Sequence, residues 1–285
     1  MTGPVITVLR AGPLTTVQDA GRTGHTAVGV STSGAADLPS YRLAVRLVGA
    51  PAGTAALEIT LGGLVAVLDA DRWVAVTGAP APLTVAGRPV TGPLVRVPAG
   101  APLAVGTPAV GLRSYLAVGG GLLVRPVLGS RSTDTLAGLG PPPVADGLHI
   151  PIGPDGPPAD DADLAVSRVP ADAATARFRW GPRDDRFSAA DRAALVGTTW
   201  TVSPDSNRVG ARLTGARLRS AAGTLPSEGT VAGSLQVPPS GEPIVFLADH
   251  PVTGGYPVIG VLTDPDLALL AQCRPGTSVR LLPVA

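Results

Sequence analysis

Apolar runs in this sequence are short. Each is broken within about ten residues by glycine, proline or charge, against the roughly 20 apolar residues a membrane-spanning helix needs. Punctuation this dense favours strands of four to six residues joined by tight turns over long helices. Glycine (37) and proline (31) make up about a quarter of the 285 residues, near the level at which disorder is suspected. Disordered chains are polar and strongly charged. Here 45% of residues are hydrophobic and the formal net charge is +1. No Gly-X-Y period exists, so collagen is excluded, and the charge balance argues against nucleic acid as a partner.

Strand-like runs include Val5–Leu9, Leu57–Leu61, Leu64–Leu68, Trp73–Thr77, Leu94–Val97 and Arg113–Val118. A second set comprises Phe178–Trp180, Thr199–Val202, Ser234–Val237, Ile244–Leu247, Val258–Leu262 and Val279–Leu282. Many are apolar on both faces, which suits strands buried between layers or inside a closed barrel. Three segments read as helices. Ala36–Val48 places Leu43, Leu47 and Val48 on one face and tolerates Pro39 only in its first turn. Ser188–Val196 opens on a serine cap with Asp191 three residues on. Asp264–Gln272 reads as an aspartate cap followed by Pro265. The fold class expected is mainly β with a few short helices. The stretch Gly153–Ala176, rich in proline, alanine and aspartate, reads as a linker. It divides the chain into regions 1–165 and 166–285.

All 22 basic residues are arginine. GC-rich coding explains that composition, but it has a chemical consequence. Without lysine the chain carries neither a Walker-type phosphate lysine nor a biotin attachment point. The single cysteine, Cys273, permits no intrachain disulfide. No basic, then apolar, leader opens the sequence, and a cytoplasmic location without membrane attachment is expected. His25, His149 and His250 are far apart and form no ligand spacing, so no metal site is expected. Gly119-Gly120-Gly121 after an apolar run reads more simply as a turn than as an anion cradle.

Four polar segments carry more chemistry: Thr15–Arg22, Ser31–Asp37, Leu128–Asp134 and Asp249–Tyr256. Each combines hydroxyls with carboxylate, guanidinium or glycine, as ligand-binding loops at a barrel mouth do. Each also has a plain reading as turn chemistry, with Ser31 or Ser33 capping a helix and Asp249 in an Asx-turn.

In this order the segments resemble the biotin-dependent carboxyltransferase-like family. That family includes the C component of 5-oxoprolinase (allophanate hydrolase subunit 2 in older labels), the regulator KipA and part of urea carboxylase. The resemblance runs over GPLTTVQDAGR (12–22), SGAAD (33–37), LEITL (57–61), YLAVGGG (115–121) and VLGSRST (127–133). It continues over NRVGARLTG (207–215), GTVAGSLQVP (229–238) and DHPVTGGYP (249–257). It implies tandem cyclophilin-like β-barrels and a role as the C component of an ATP-dependent 5-oxoprolinase. That enzyme opens 5-oxo-L-proline to L-glutamate. It also needs an A component and a cyclophilin-fold partner of the B type, so this chain is expected to be inactive alone. The lactam is a resonance-stabilised amide, and phosphorylating its carbonyl oxygen makes it a better electrophile. ATP with a divalent metal such as Mg is therefore expected in the assembled complex, with no biotin on this chain.

On this resemblance Asp19, Asp37, Arg131 and Asp249 are the candidate catalytic residues. Arg22, Ser33, Gly34, Ser132, Thr133, Gln236, Thr253, Gly254, Gly255 and Tyr256 are candidates for binding substrate or nucleotide. Arginine presents paired donors to anions, and the Gly254-Gly255 amides offer a possible nest. The sequence departs from the family at Ala36, where methionine is common, and at Pro251 and Val252, where glutamine and threonine are. Two other functions share the resemblance: a carboxyltransferase component for urea or another amide using a partner's carboxybiotin, and a KipA-like regulator binding a kinase inhibitor.

Overall fold

The computed structural model describes residues 3–159, 169–221, 223 and 225–284. The protein is mainly β, as the punctuated sequence predicts, with three short α-helices among the described residues. It divides into two compact units. Unit 1 comprises Met1–Arg22, Asp37–Asp134 and Gly138–Val169; unit 2 comprises Thr23–Ala36, Thr135–Ala137 and Pro170–Ala285. The junction expected at 165/166 lies outside the described residues, as do residues 160–168 of the expected linker, whose last four residues, Ala173–Ala176, belong instead to a strand.

In chain order the strands of unit 1 are β1 (Val5–Arg10), β2 (Leu14–Gln18), β3 (Ala56–Thr60), β4 (Leu64–Leu68), β5 (Arg72–Gly78) and β6 (Leu83–Val85). They continue as β7 (Arg88–Pro89), β8 (Leu94–Val97), β9 (Pro102–Val105), β10 (Arg113–Val118) and β11 (His149–Pro151). One sheet has the order β11-β1-β4-β9-β6-β7 and the other β2-β3-β10-β5-β8. Alternate residues of β4 (Leu64, Ala66, Leu68) are buried, the period-2 signature of a strand with one face on a core. They share that core with Ile6 and Val8 of β1 and with Leu57, Ile59, Val74, Leu116 and Val118 of the other sheet.

β10 shows no alternation because it is buried throughout. Helix α1 (Leu38–Leu47) packs on β10 and β5, and Tyr41 meets Tyr115 edge-on at 6.5 Å. The buried face of α1 is Ser40, Tyr41, Ala44, Val45 and Leu47, continued by Val48 just past the helix. Of the three residues expected there, Leu47 and Val48 are buried and Leu43 is half-buried. The cap also differs. Asp37 caps α1, accepting the Ser40 N–H, and neither Ser31 nor Ser33 does so. A carboxylate at this position also suits the positive end of the helix.

Unit 2 is built from β12 (Ala173–Trp180), β13 (Thr199–Val202), β14 (Gly210–Thr214), β15 (Glu228–Gly229), β16 (Ser234–Gln236), β17 (Ile244–Phe246), β18 (Thr253–Gly254), β19 (Val258–Leu262) and β20 (Ser278–Pro283). Seven of them close a barrel in the order β12-β19-β16-β17-β14-β13-β20. A parallel pairing of β12 with β20 completes it, from Ala173↔Ser278 to Phe178↔Pro283. Phe178, Trp200, Leu213, Leu235, Val245, Ile259 and Val279 fill the interior. Gly260 interrupts the apolar run of β19 because a Cβ there would lie 2.6 Å from the Phe178 ring. Burial alternates along β12, β13 and β20, as inward and outward positions do in a barrel, whereas β16 and most of β19 are buried on both faces.

Helix α2 (Ala189–Gly197) starts as expected, with Ser188 accepting the Asp191 N–H, and the Trp200 indole donates to Leu195 O at 2.9 Å. Helix α3 (Asp264–Ala271) is capped one residue earlier than expected, at Thr263, whose hydroxyl donates to Asp266 at 2.8 Å. No helix among the described residues is long and apolar enough to cross a membrane.

Candidate functional site

The polar loops form two constellations, one in each unit. In unit 1, β2 ends at Gln18 and turns into Asp19, which is buried. Asp19 accepts hydrogen bonds from Ser130 Oγ and Ser132 Oγ, both 2.6 Å, from the Arg131 N–H at 2.6 Å and from the Gly21 N–H at 2.8 Å. One carboxylate thus organises the whole Gly-Ser-Arg-Ser-Thr loop. The loop begins in a tight turn, with Leu128 and Gly129 at φ 51° and 79° between the mutually hydrogen-bonded Val127 and Ser130. Two positive φ values in a two-residue turn are the type I′ pattern, and leucine is an unusual occupant of it.

Arg131 points its Nε at Val124 O, 2.7 Å away, and remains half-buried. Arg22 is buried. It donates through Nη2 to Ser132 O and approaches Asp134 at 3.8 Å, while its Nε and Nη1 have no hydrogen-bond acceptor. Gln18 Nε2 donates to Thr16 Oγ1 at 3.0 Å and to Thr133 O at 2.9 Å. Gly140 closes over this cluster: a Cβ there would stand 2.1 Å from Ser132 O and 3.1 Å from Arg22 Nη2.

Asp37 belongs to a second network of unit 1. Its carboxylate takes both the N–H and the hydroxyl of Ser40, at 3.1 and 2.6 Å. Its own N–H donates to Tyr115 Oη at 2.7 Å, and that hydroxyl donates to Glu58 at 2.8 Å. Glu58 in turn lies 3.5 Å from Arg113. Burial, then the Glu58 charge, pushes the Tyr115 phenol well above its ordinary value, so it acts as a neutral hydrogen-bonding group.

In unit 2 Asp249 is the hub. Arg208 grips it side-on, Nε to Oδ2 at 2.9 Å and Nη2 to Oδ1 at 3.0 Å. Ser33 Oγ donates to Oδ1 at 2.6 Å, while the Thr135 N–H and hydroxyl donate to Oδ2 at 2.9 and 2.7 Å. Burial alone raises such a carboxyl. Here the Arg208 charge and the hydrogen bonds from Arg208, Ser33 and Thr135 outweigh it and hold Asp249 below the usual carboxylate range. Arg208 Nη2 also reaches Gly34 O at 2.6 Å.

The remaining candidates of unit 2 follow Asp249. Gln236 Nε2 donates to Tyr256 O at 3.0 Å. Thr253 and Gly254 form β18, paired with Glu228 and Gly229. Gly254 and Gly255 have no positive φ, so the backbone does not curl there as the expected anion nest requires. Tyr256 is 47% exposed. Thr230 holds the loop, donating its hydroxyl to Pro251 O at 2.5 Å.

The residues expected from the sequence thus separate into Asp19, Arg22, Arg131, Ser132 and Thr133 with the neighbouring Asp37 network, and into Ser33, Gly34 and Asp249 with Gln236 and Thr253–Tyr256. Ser130, Glu58, Tyr115, Arg208 and Thr135 were missed as partners. Three of these, Glu58, Tyr115 and Arg208, lie in LEITL, YLAVGGG and NRVGARLTG, where a charge or phenol beside apolar residues is the signal, and Ser130 is one of the three hydroxyls around Arg131. For a nucleotide with its metal the residues of this chain are a poor fit. Asp19 and Asp249 are occupied by protein donors, and among the described residues no group of three or more histidine, cysteine, aspartate or glutamate side chains could hold a metal ion.

The family described as "Carboxyltransferase domain, subdomain A and B" matches residues 28–283. The chain is similar to the C component of the Escherichia coli 5-oxoprolinase, 38% identical over 98% of this chain and 91% of that protein. It is also similar to "Urea amidolyase" of Saccharomyces cerevisiae, 30% identical over 98% of this chain but 17% of that protein. The crystal structure of the Kluyveromyces lactis urea amidolyase superimposes with a TM-score of 0.93 at 27% identity, covering the whole of this chain and 19% of that one.

Proposed function

Since the chain belongs to the carboxyltransferase-domain family, we propose that it is the C component of an ATP-dependent 5-oxoprolinase, opening 5-oxo-L-proline to L-glutamate. The observation that carries this reading is the 38% identity to the Escherichia coli protein of that name, extending over 91% of its length. The urea amidolyases match through 17% or 19% of their length, as one segment of larger enzymes.

In this reading the chain works in the cytoplasm with the A and B components and is inactive alone. ATP and its metal are held by those partners, since the carboxylates here already have protein donors. Arg131 is the group offered to the substrate. It is the half-buried guanidinium of the unit 1 cluster, aimed by Val124 O and by the loop that Asp19 organises. A guanidinium presents paired donors to the phosphoryl oxygens on the activated lactam carbonyl and stabilises the charge that leaves with phosphate after water attacks. Tyr256, exposed beside Gln236, supplies a hydroxyl for the substrate carboxylate or ring amide.

The test is reconstitution with the A and B components, assaying 5-oxoproline-dependent ATP hydrolysis with and without this chain. Turnover that requires the chain and falls with Arg131→Ala supports the reading; an active complex lacking the chain overturns it. The second reading, a carboxyltransferase acting on urea or another amide, is favoured by the TM-score of 0.93 to the urea amidolyase. It requires biotin on another polypeptide, because this chain has no lysine. Turnover of urea by a complex containing a biotinylated carrier, in place of 5-oxoproline, would establish it.

A further inference from the structure

Asp249 lies in a polar loop as a catalytic base would, yet its carboxylate has no free face. Five donors converge on its two oxygens: Arg208 Nε and Nη2, Ser33 Oγ, and the Thr135 N–H and hydroxyl. The pair is fully enclosed, with side-chain exposures of 2% for Arg208 and 0% for Asp249. A base needs a lone pair within reach of substrate, and none is left here.

The pair is also built into the barrel frame. Arg208 stands just before β14 and Asp249 just after β17, neighbouring antiparallel strands, and the Asp249 N–H donates to Arg208 O at 3.0 Å. What the pair holds is backbone of high intrinsic cost. Ser33 has φ 51° and is followed by Gly34 at φ 92°. A left-handed serine is disfavoured and persists only where its surroundings impose it. Ser33 Oγ binds Asp249, and Gly34 O accepts from Arg208 Nη2. Thr135, about a hundred residues further along, is bound to the same carboxylate.

We infer that Arg208 and Asp249 are positioning residues, whose buried pair fixes the Ser33–Gly34 turn and the segment at Thr135 onto one end of the barrel. Arg208 is the more informative member, since it is no candidate base. Lysine keeps the charge but lacks the planar fork that reaches both Asp249 oxygens and Gly34 O together. Asparagine at 249 keeps the shape but places an amide donor against other donors.

Hydrogen exchange on the isolated chain reads this directly. In Arg208→Lys and Asp249→Asn, amides of residues 31–36 and 135–137 are expected to exchange about tenfold faster or more, with strands β14 and β17 unchanged. Unchanged exchange in those two segments, in both variants, overturns the inference. Loss of protection across the whole barrel overturns it as well, because the pair would then be a general stabiliser.

The kinetic arm rests on the function proposed above. In the reconstituted complex both variants are expected to lower kcat/KM by similar factors and to keep the acidic limb of the wild-type pH profile. A loss of that limb confined to Asp249→Asn, with Arg208→Lys active, would make Asp249 a base and sink the proposal. Failure of the wild-type complex to use 5-oxoproline would remove that function while leaving the exchange result standing.

Discussion

Tyr115 and Glu58 are joined by a buried hydrogen bond, the phenol donating to Oε2 at 2.8 Å while it accepts the Asp37 N–H at 2.7 Å. They occupy adjacent strands, directly opposite each other in the register of β10 and β3. The start of α1 is therefore tied through a single oxygen to the centre of a sheet. Tyr115→Phe deletes that oxygen and leaves a buried N–H and a buried carboxylate each short of a partner. The expected cost is about 1–3 kcal/mol, read as a lower urea midpoint of the transition that reports on unit 1. A change below about 0.5 kcal/mol would mean that the network rearranges without loss.

Acid is expected to weaken the Asp249 hub. Its folded-state pKa is depressed, because the Arg208 charge and the hydrogen bonds outweigh the effect of burial. A depressed carboxyl contributes stability that is complete above the unfolded value of about 4 and is lost as pH falls through the folded value. The stability gap between wild type and Asp249→Asn should therefore be widest near neutral pH and narrow as pH drops below about 4. Denaturant titrations of both proteins across that range measure it. A gap that widens in acid would contradict the sign.

The Asp19 cluster is open to a protease test. With no lysine in the chain, trypsin is limited to arginine, and Arg131 lies inside the loop that Asp19 gathers. Asp19→Asn puts an amide among the Ser130, Ser132 and Arg131 donors. Cleavage after Arg131 should accelerate about tenfold, as followed by fragment masses. An unchanged cleavage rate would mean that the loop holds its shape without the carboxylate.

Gly138 and Gly140 separate backbone strain from collision. Both have positive φ, 66° and 81°. A Cβ at Gly138 meets nothing within 4 Å, whereas one at Gly140 would stand 2.1 Å from Ser132 O. Gly138→Ala should cost about 1–2 kcal/mol, the ordinary penalty of a left-handed alanine. Gly140→Ala should cost more and also impair the Arg131-dependent turnover of the assembled enzyme, because Ser132 must move. Equal effects on stability and turnover would show that the cluster yields easily.

Much of the fold is legible in the sequence because closed and layered β structures leave a local trace. Runs such as Leu64–Leu68 and Val258–Leu262 end where glycine, proline or aspartate allows the chain to turn. Ser188 and Asp191 are three residues apart, and so the start of α2 is legible too. Strand β2 is masked by its composition, since Thr15, Thr16 and Gln18 look like loop residues although all three are buried. The cap of α1 is ambiguous in a segment offering Ser31, Ser33 and Asp37, and only packing on β10 selects the last.

The partners of the candidate carboxylates are less legible, for a geometric reason. Asp249 meets Ser33 and Thr135 across more than a hundred residues, and spacing carries no record of such an encounter. Asp19 and Ser132 are similarly distant in the chain. A sequence identifies polar groups embedded among apolar ones; it does not say that their lone pairs are already taken.

The interleaved course of the chain bears on how the protein can be dissected. Thr23–Ala36 and Thr135–Ala137 belong to unit 2 although they lie within the sequence of unit 1. No single cut in the polypeptide yields both units whole. A fragment beginning near residue 170 would keep every strand of the barrel and carry Arg208 and Asp249 as a bare ion pair, stripped of its serine and threonine. Split-protein designs and single-domain expression would start from an impaired barrel, whereas a circular permutant, which retains all segments in one molecule, would not.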